Sequence, residues 1–146
     1  MKVGFTGTRE GMTHPQGVMV QALLEVLDVT EFHHGDCVGA DADADHIACT
    51  IDQTPTIVVH PPKDDRLRAW CSHGHFRDPL PYLDRNRAIV DETDVLIATP
   101  KEVDEQLHGG TWYTVRYAIG QGRVAIVVPP DGIPVLRHTQ GAEIPR

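Results

Sequence analysis

The sequence predicts a three-layer α/β domain in which helices cover both faces of a mainly parallel sheet. Two observations lead to this expectation. Five short, mostly apolar runs have the composition of buried strands, and the segments between them repeat apolar residues at intervals of three and four, as helices do. Strands that alternate with helices form a parallel sheet with right-handed crossovers. We therefore expect five strands in the spatial order 3-2-1-4-5.

The predicted strands are short and are stopped by glycine or proline. Gly7 follows the first strand, Gly35 the second and Pro61 the third. The first, fourth and fifth runs lack alternating polar residues, which is typical of strands buried on both faces of a sheet. The five strands cover residues 2–6, 31–34, 56–60, 94–99 and 124–128.

The predicted helices are marked by apolar stripes and by residues that favour helix ends. Thr13 stands where an N-cap is needed before the first helix, and Gly120 and Gly122 end the fourth. The second helix is rich in alanine, which allows close packing on a sheet. The four helices cover residues 15–27, 40–49, 82–90 and 112–119.

The domain is expected to span residues 1–128, followed by a proline-containing C-terminal tail, 129–146. Within the domain, residues 63–81 carry charged side chains, Gly74 and Pro79 without clear periodicity. Long segments of this kind in compact domains are usually functional loops. We therefore expect residues 63–81 to form a lid-like loop.

Composition limits the classes of function. With 146 residues, 40% of them apolar, the chain has material for one core. The formal net charge of -8 makes a nucleic acid an unfavourable partner, because affinity for DNA depends on basic groups that displace counterions.

The three cysteines form no C-x-x-C pair, which is typical of reduced thiols. The chain starts in a strand-like run and contains no apolar run long enough for a bilayer, so we expect a cytoplasmic protein without a membrane partner.

Three glycine-containing loops follow predicted strands and enter helices. They are loop 1 (residues 7–9), loop 2 (residues 34–41) and loop 3 (residues 108–111). Glycine lets the backbone approach an anion closely, and the start of a helix attracts phosphate. A single glycine pair is more often only a turn, but ligands of open α/β sheets bind where strand order reverses, here between strands 1 and 4. Three loops at that edge predict a phosphate-bearing ligand.

The order of these motifs resembles a known superfamily. An opening strand ending in Gly-Thr-Arg is followed by HGDCVGAD, by PYLDRNRAIV with DVLIATP, and by GGTWYTVRYA. This series resembles the SLOG superfamily of Rossmann-like nucleotide-binding proteins, which includes DprA-like, YpsA-like and LONELY GUY-like members. The resemblance covers roughly residues 2–128 and is strongest to small bacterial and phage members. It implies a protein that senses, sequesters or delivers a nucleotide.

The candidate ligand-binding residues come from the three loops and from the resemblance. Loops 1 and 3 are expected to hold phosphate and loop 2 the sugar. The resemblance places Arg85 where related phosphoribohydrolases carry a helix-borne arginine, with a salt bridge as the alternative role. Arg116 lies after Thr111, near where those enzymes carry a catalytic glutamate. The set is Gly7, Thr8, Arg9, Gly35, Asp36, Gly39, Arg85, Gly109, Gly110, Thr111 and Arg116.

Two alternatives belong to other functional classes. The resemblance to phosphoribohydrolases suggests cleavage of the N-glycosidic bond of a nucleoside monophosphate. Because no acid follows Thr111, that chemistry would need Arg85 with Asp36 or Asp41, although Asp41 is also suited to capping a helix. DprA-like binding of single-stranded DNA would need a basic groove, which the net charge disfavours.

The sequence predicts no metal site and no cofactor. Cys71, His73 and His75 do not have zinc-finger spacing, and His33 and His34 should point to opposite sides of a strand. The chain lacks the G-x-G-x-x-G and P-loop patterns of dinucleotide and NTP sites. The resemblance also implies a homodimer formed through the helices beside the glycine loops. Its expected contact residues are Arg87, Trp112 and Tyr117, with a place in the core as the alternative.

Overall fold

A single seven-stranded sheet forms the centre of the protein. The computed structural model describes residues 1–139, so residues 140–146 of the expected tail lie outside the described residues. The spatial order is β4-β3-β2-β1-β5-β6-β7, and all neighbours are parallel except β6 and β7. The strands are β1 Lys2–Gly7, β2 Glu31–His34, β3 Thr56–Val59, β4 His75–Phe76, β5 Val95–Thr99, β6 Val124–Val127 and β7 Val135–Arg137.

Four helices cover the sheet, two on each face. They are α1 His14–Val26, α2 Ala40–Thr50, α3 Tyr82–Asp91 and α4 Gly110–Gly120, with a short 3-10 turn at Asp65–Leu67. Helices α1 and α2 pack together on one face, and α3 and α4 pack together on the other. The predicted three-layer α/β architecture with a mainly parallel sheet is therefore confirmed. No helix within residues 1–139 is long and apolar enough to cross a bilayer.

The prediction of five strands in the order 3-2-1-4-5 is wrong for the sheet as a whole, because an additional strand lies at each edge. Strand β4 has only two residues, both exposed, and lies inside the expected lid at 63–81. Strand β7 lies in the expected tail and pairs antiparallel with β6. Both edge strands are too short to show a hydrophobic pattern, so periodicity could not identify them.

The strands place their side chains alternately into two separate cores. On β5, Val95 and Ile97 belong to the core beneath α1 and α2, whereas Leu96 and Ala98 belong to the core beneath α3 and α4. All four are buried, which explains the continuous apolar run in the sequence. The central strands are thus held rigidly, and their carboxyl ends form a fixed platform for the loops that follow.

Helix α1 is fixed at its start by a capping box. Thr13 accepts the backbone N–H of Gln16, and the Gln16 side chain accepts the backbone N–H of Thr13, so the predicted N-cap is confirmed. The Gln16 amide also donates to the carbonyls of Pro100 and Val128, at 2.8 and 2.9 Å. Because Gln16 is buried, these bonds tie α1 to the ends of β5 and β6.

A chain of polar side chains lies on the α3 side of the sheet, with two buried histidines at its centre. His33 on β2 contacts Glu31 through Nε2 at 2.9 Å and His60 through Nδ1 at 2.8 Å. His60 Nδ1 lies 3.7 Å from the carboxylate of Glu92, which also forms an ion pair with Arg77. Burial lowers the pKa of His33, and burial lowers the pKa of His60 to about 3. Both imidazoles are therefore neutral at pH 7.

These two histidines are expected to make the fold less stable as the pH falls. Their unfolded-state pKa is about 6.5. Because the folded-state pKa values are lower, the histidines contribute fully to stability above pH 6.5. This contribution is lost as the pH falls from 6.5 towards the folded-state pKa, which is about 3 for His60. Urea unfolding in the presence of a chelator, between pH 7 and 5, should show a decrease of up to about 1.4 kcal/mol per pH unit for each histidine.

A comparison with His60→Gln isolates the contribution of this histidine. Asp41 is also buried and has a raised pKa. Its contribution to the free energy of unfolding therefore decreases as the pH rises, opposite to that of the histidines. His60→Gln leaves Asp41 unchanged and removes one titrating imidazole, so its stability should depend less steeply on pH between 6.5 and 5. An equal slope in both proteins would contradict this explanation.

Candidate functional site

A cavity of about 410 Å³ opens at the carboxyl ends of β1 and β5. From β1 the chain crosses to β2, which lies on one side of β1 in the sheet, whereas β5 lies on the other side of β1. The cavity is therefore at the point where strand order reverses. Loops 1 and 3, which the sequence predicted at this edge, both line it. The lining comprises Gly7, Thr8, Arg9, Glu10, Tyr82, Lys101, Glu102, His108, Gly109, Gly110, Thr111 and Trp112.

Loop 3 presents the start of α4 to this cavity. Gly109 is the N-cap residue and has φ of 100°, a conformation that glycine adopts without strain. No side chain caps this helix. Within the described residues, the backbone N–H groups of Gly110, Thr111 and Trp112 have no hydrogen-bond acceptor. The cavity wall therefore contains three free donors at the positive end of a helix dipole.

Loop 1 is fixed by its backbone and leaves one side chain free. The Thr8 N–H donates to the carbonyl of Thr99 at 3.1 Å, and the Thr8 carbonyl accepts the N–H of Ala40 at 2.9 Å. Arg9, in contrast, is exposed and makes no hydrogen bond or ion pair with any residue in the described part of the chain. Its guanidinium group is thus available to a ligand in the cavity.

Tyr82 forms a wall of the cavity between two cationic side chains. Its ring centroid lies 5.2 Å from the guanidinium carbon of Arg9 and 5.5 Å from that of Arg85. Its hydroxyl lies so close to Gly110 that a Cβ at that position would overlap it. An alanine at this position would therefore force the Tyr82 side chain to move.

Loop 2 supports loop 1 instead of lining the main cavity. Gly39 has φ of 94°, and a Cβ there would overlap the Arg9 backbone. The first N–H of α2 already bonds to the carbonyl of Thr8, so within the described residues this helix start offers one free donor fewer than that of α4. Gly35 lines only a small neighbouring cavity of about 20 Å³, which shares Gly7, Arg9 and Tyr82 with the main one. The expected sugar contacts of loop 2 are thus absent from the main cavity.

Arg85 lines the small cavity and is almost completely engaged by the protein. It is 2% exposed, and it donates to the carbonyls of Gly35 and His60 and to the side chain of Asn86. A further contact of 3.4 Å joins it to the sulfur of Cys37. The alternative of a surface salt bridge for Arg85 is therefore excluded, and few of its donors remain for a ligand.

The two expected catalytic aspartates are both buried in loop 2. Asp36 is fully buried, and its carboxylate accepts from Arg68 and from the N–H of Cys71, both at 2.9 Å. It lines neither cavity. Asp41 accepts the N–H of Cys37 at 3.1 Å and lines the small cavity. Burial raises the pKa of Asp41, and the nearby charge of Arg85 opposes that rise.

Arg116 does not face the cavity. It lies on the side of α4 that meets the insert (residues 101–108), where it donates to the carbonyls of Gln106 and Leu107 and forms an ion pair with Glu105. Trp112 is 3% exposed and packs in the core beneath α3 and α4, which is the alternative that the sequence left open. The other two expected dimer contacts make hydrogen bonds within the α3–α4 layer, Arg87 to Tyr113 and Tyr117 to Asp91.

Comparison with solved structures finds one fold that resembles this chain. The X-ray structure of TM1055, a structural-genomics target, superposes with a TM-score of 0.62. The match covers 88% of this chain and 74% of that chain at 16% sequence identity. This chain has a Rossmann-like fold. Comparison with protein-family models finds no match, and comparison with curated proteins finds none either.

In this Rossmann-like fold, several cavity residues were missed by the sequence interpretation. Tyr82 begins α3, and Lys101 directly follows Pro100 after β5, so both positions could have been placed at the ligand-binding edge. Glu10 follows loop 1 and forms an ion pair with Lys101 at 3.5 Å across the cavity. Glu102 accepts the indole N–H of Trp112 at 3.1 Å. The insert thus contributes both charges and walls to the cavity.

Proposed function

We propose that this chain binds a nucleotide, or a nucleotide-derived phosphate ligand, in the 410 Å³ cavity. The observation that carries the proposal is the start of α4, where three backbone N–H groups without acceptors lie beside the free guanidinium of Arg9. Free N–H groups and a helix dipole bind phosphate oxygens, and an arginine adds charge-assisted hydrogen bonds. The cavity volume lies within the usual range for small-molecule sites.

The charges of the cavity favour a ligand with both phosphate and hydroxyl groups. Arg9 and Lys101 supply positive charge, whereas Glu10 and Glu102 supply carboxylates that can accept from a sugar or a base. A bare polyphosphate would be repelled by these carboxylates. We therefore favour a nucleoside monophosphate over a triphosphate.

The proposed biological output is sensing, sequestering or delivering the ligand. The motifs that resemble the SLOG superfamily coincide with loops 1 and 3, and the Rossmann-like fold is consistent with such a protein. We accordingly extend the SLOG resemblance to a proposal of membership. Among the residues of the resemblance, Arg9 and loop 3 carry the binding proposal, and Arg85 is assigned to holding loop 2 in place.

Calorimetric titration with matched ligands tests the proposal. Nucleoside 5′-monophosphates should release or absorb heat on binding, while the corresponding nucleosides should bind at least roughly tenfold more weakly because they lose the contacts to α4. Inorganic phosphate should compete. Equal affinity for nucleosides and monophosphates, or no heat with any of the ligands, would contradict it.

A second candidate function, hydrolysis of the N-glycosidic bond, is favoured by one observation. Glu10 and Glu102 place carboxylates in the main cavity, whereas Asp36 and Asp41 do not line it. Incubation with the same monophosphates followed by chromatography separates the two functions. A binding protein releases no free base. Release of base that is abolished by Glu102→Gln would establish the hydrolase instead.

Gly110→Ala is expected to lower ligand affinity roughly tenfold, because movement of Tyr82 removes part of the cavity wall and a loss of about 1.4 kcal/mol of contact energy is tenfold in affinity. The added Cβ overlaps the hydroxyl of Tyr82 and must displace that side chain from the cavity wall. Gly120→Ala is the matched control, since it lies at the end of the same helix and a Cβ there meets nothing within 4 Å. Calorimetry on both variants should show a loss only for Gly110→Ala; equal affinities would contradict the role assigned to Tyr82.

A further inference from the structure

Four polar side chains, Glu31, His33, His60 and Glu92, follow one another beside the sheet, and the two histidines between the carboxylates are buried. His33 is hydrogen-bonded to Glu31 at 2.9 Å and to His60 at 2.8 Å, whereas Nδ1 of His60 lies 3.7 Å from Oε2 of Glu92, beyond hydrogen-bond distance. Two neutral imidazoles carry two N–H groups, which serve the two shorter contacts. The remaining imidazole lone pair then faces the carboxylate of Glu92, an arrangement that a bound cation would stabilise.

We propose that His33, His60 and Glu92 bind one divalent transition-metal ion, with zinc as the expected ion. One potential ligand atom from each of the three residues lies within 4.8 Å of the other two. Two imidazoles and one carboxylate form a ligand set that binds zinc and leaves a fourth position open. Such a site is separate from the cavity between β1 and β5.

The groups around the three ligands hold them in the orientation that metal binding needs. The carboxylate of Glu31 accepts from Nε2 of His33, so Nδ1 of His33 keeps its lone pair for the ion. Arg77 donates to Oε1 of Glu92 through both Nε and Nη2, which leaves Oε2 facing His60. Outer partners of this kind raise ligand basicity and fix ring orientation.

The three side chains must move to bind one ion. Zinc–nitrogen bonds of about 2.0–2.1 Å at a tetrahedral angle place two nitrogens roughly 3.3 Å apart. Nδ1 of His33 and Nε2 of His60 are 2.8 Å apart, so the rings must separate by roughly half an ångström and release the proton between them. Glu92 faces the other nitrogen of His60, so its carboxylate must also turn towards the ion.

Arg77 and Lys2 carry opposing positive charge, but their side chains are 45% and 52% exposed, so solvent screens them. Arg85 also lies near His60 and is buried, so its positive charge lowers the affinity for the ion.

A second group of potential ligands, His34, Asp45 and Cys71, is unsuitable and provides a control. Nδ1 of His34 accepts the backbone N–H of Asp36 at 3.0 Å, so its proton resides on Nε2, which donates to Asp45. Binding a metal through Nε2 would require an imidazolate. Burial also raises the pKa of Cys71, which opposes formation of the thiolate ligand.

The test is a titration of chelator-treated protein with Zn²⁺ and with Co²⁺. We expect one ion per chain and a cobalt absorption spectrum typical of four-coordination. His60→Gln should abolish binding, and Glu31→Gln should weaken it by roughly 10- to 100-fold because His33 loses its charged outer partner. Asp45→Asn, the control in the second group, should leave stoichiometry and affinity unchanged.

Several results would overturn the proposal. These are wild-type protein that takes up neither ion, binding that persists in His60→Gln, or a loss in Asp45→Asn equal to that in Glu31→Gln. If His60→Gln does not fold, ¹⁵N spectra of the wild-type histidine rings replace it. Zinc should then shift the signals of His33 and His60, and shifts confined to other histidines would refute the site.

Discussion

Arg9→Met is expected to weaken the binding of a nucleoside monophosphate by roughly 10- to 100-fold, since hydrogen bonds to a charged group are each worth about 1.5–3 kcal/mol. Arg9 lines the cavity without a hydrogen-bond partner in residues 1–139, so its donors are not already engaged. Methionine retains an unbranched apolar stem next to the Tyr82 ring and removes only the charge and the donors. Calorimetric titration of both proteins with the same ligand measures the change.

Lys2→Met is the matched control for this prediction. It makes the same change in net charge, but Lys2 is 52% exposed and begins β1, at the opposite end of the strand from Gly7 and the cavity. At physiological ionic strength, charges separated by more than about 8 Å are largely screened. The control should therefore retain its affinity within about twofold. If both variants lose affinity equally, Arg9 acts only through the total charge of the protein and does not contact the ligand.

The central part of the fold could be predicted because its signal is local. Runs such as residues 94–99 are apolar throughout, and burial between two helical layers requires that composition. The edges could not be predicted in this way. Strand β4 consists of His75 and Phe76, which are both exposed, and its pairing with Val58 and Val59 depends on the path of the whole 63–81 segment.

The position of the site could be predicted from topology, but the identity of the residues that line it could not. Loops 1 and 3 converge because parallel strands end at the same edge of a sheet, whatever their side chains. Loop 2 leaves the same edge, yet Asp36 adopts φ of 54° and turns inward to Arg68, which is distant in sequence. An ion pair between residues so far apart leaves no periodic pattern. Sequence reasoning therefore assigned Asp36 to ligand chemistry, while the structure places it as an anchor for the 63–81 segment.

Arg85→Met is expected to lower the free energy of unfolding by about 3–5 kcal/mol, the usual cost of removing one member of a buried charged network. The variant leaves the carbonyls of Gly35 and His60 without their donor, and it leaves the buried carboxylate of Asp41 without a nearby positive charge. Urea unfolding at pH 7 measures the loss. Arg87→Met on the same helix is the control, because Arg87 is about half exposed and should cost less than about 1 kcal/mol.

The pH dependence of this loss separates electrostatics from packing. Burial already raises the pKa of Asp41, and removing Arg85 should raise it further. A carboxyl group with a raised folded-state pKa stabilises the protein below its unfolded pKa, and that contribution is lost as the pH rises through the folded value. The deficit of Arg85→Met should consequently be smaller at pH 5 than at pH 8. Adding Asp41→Asn to Arg85→Met should recover part of the stability at pH 8, since the amide carries no charge. A deficit that is independent of pH and unchanged in the double variant would mean that Arg85 stabilises the fold only through its packing and its bonds to carbonyls.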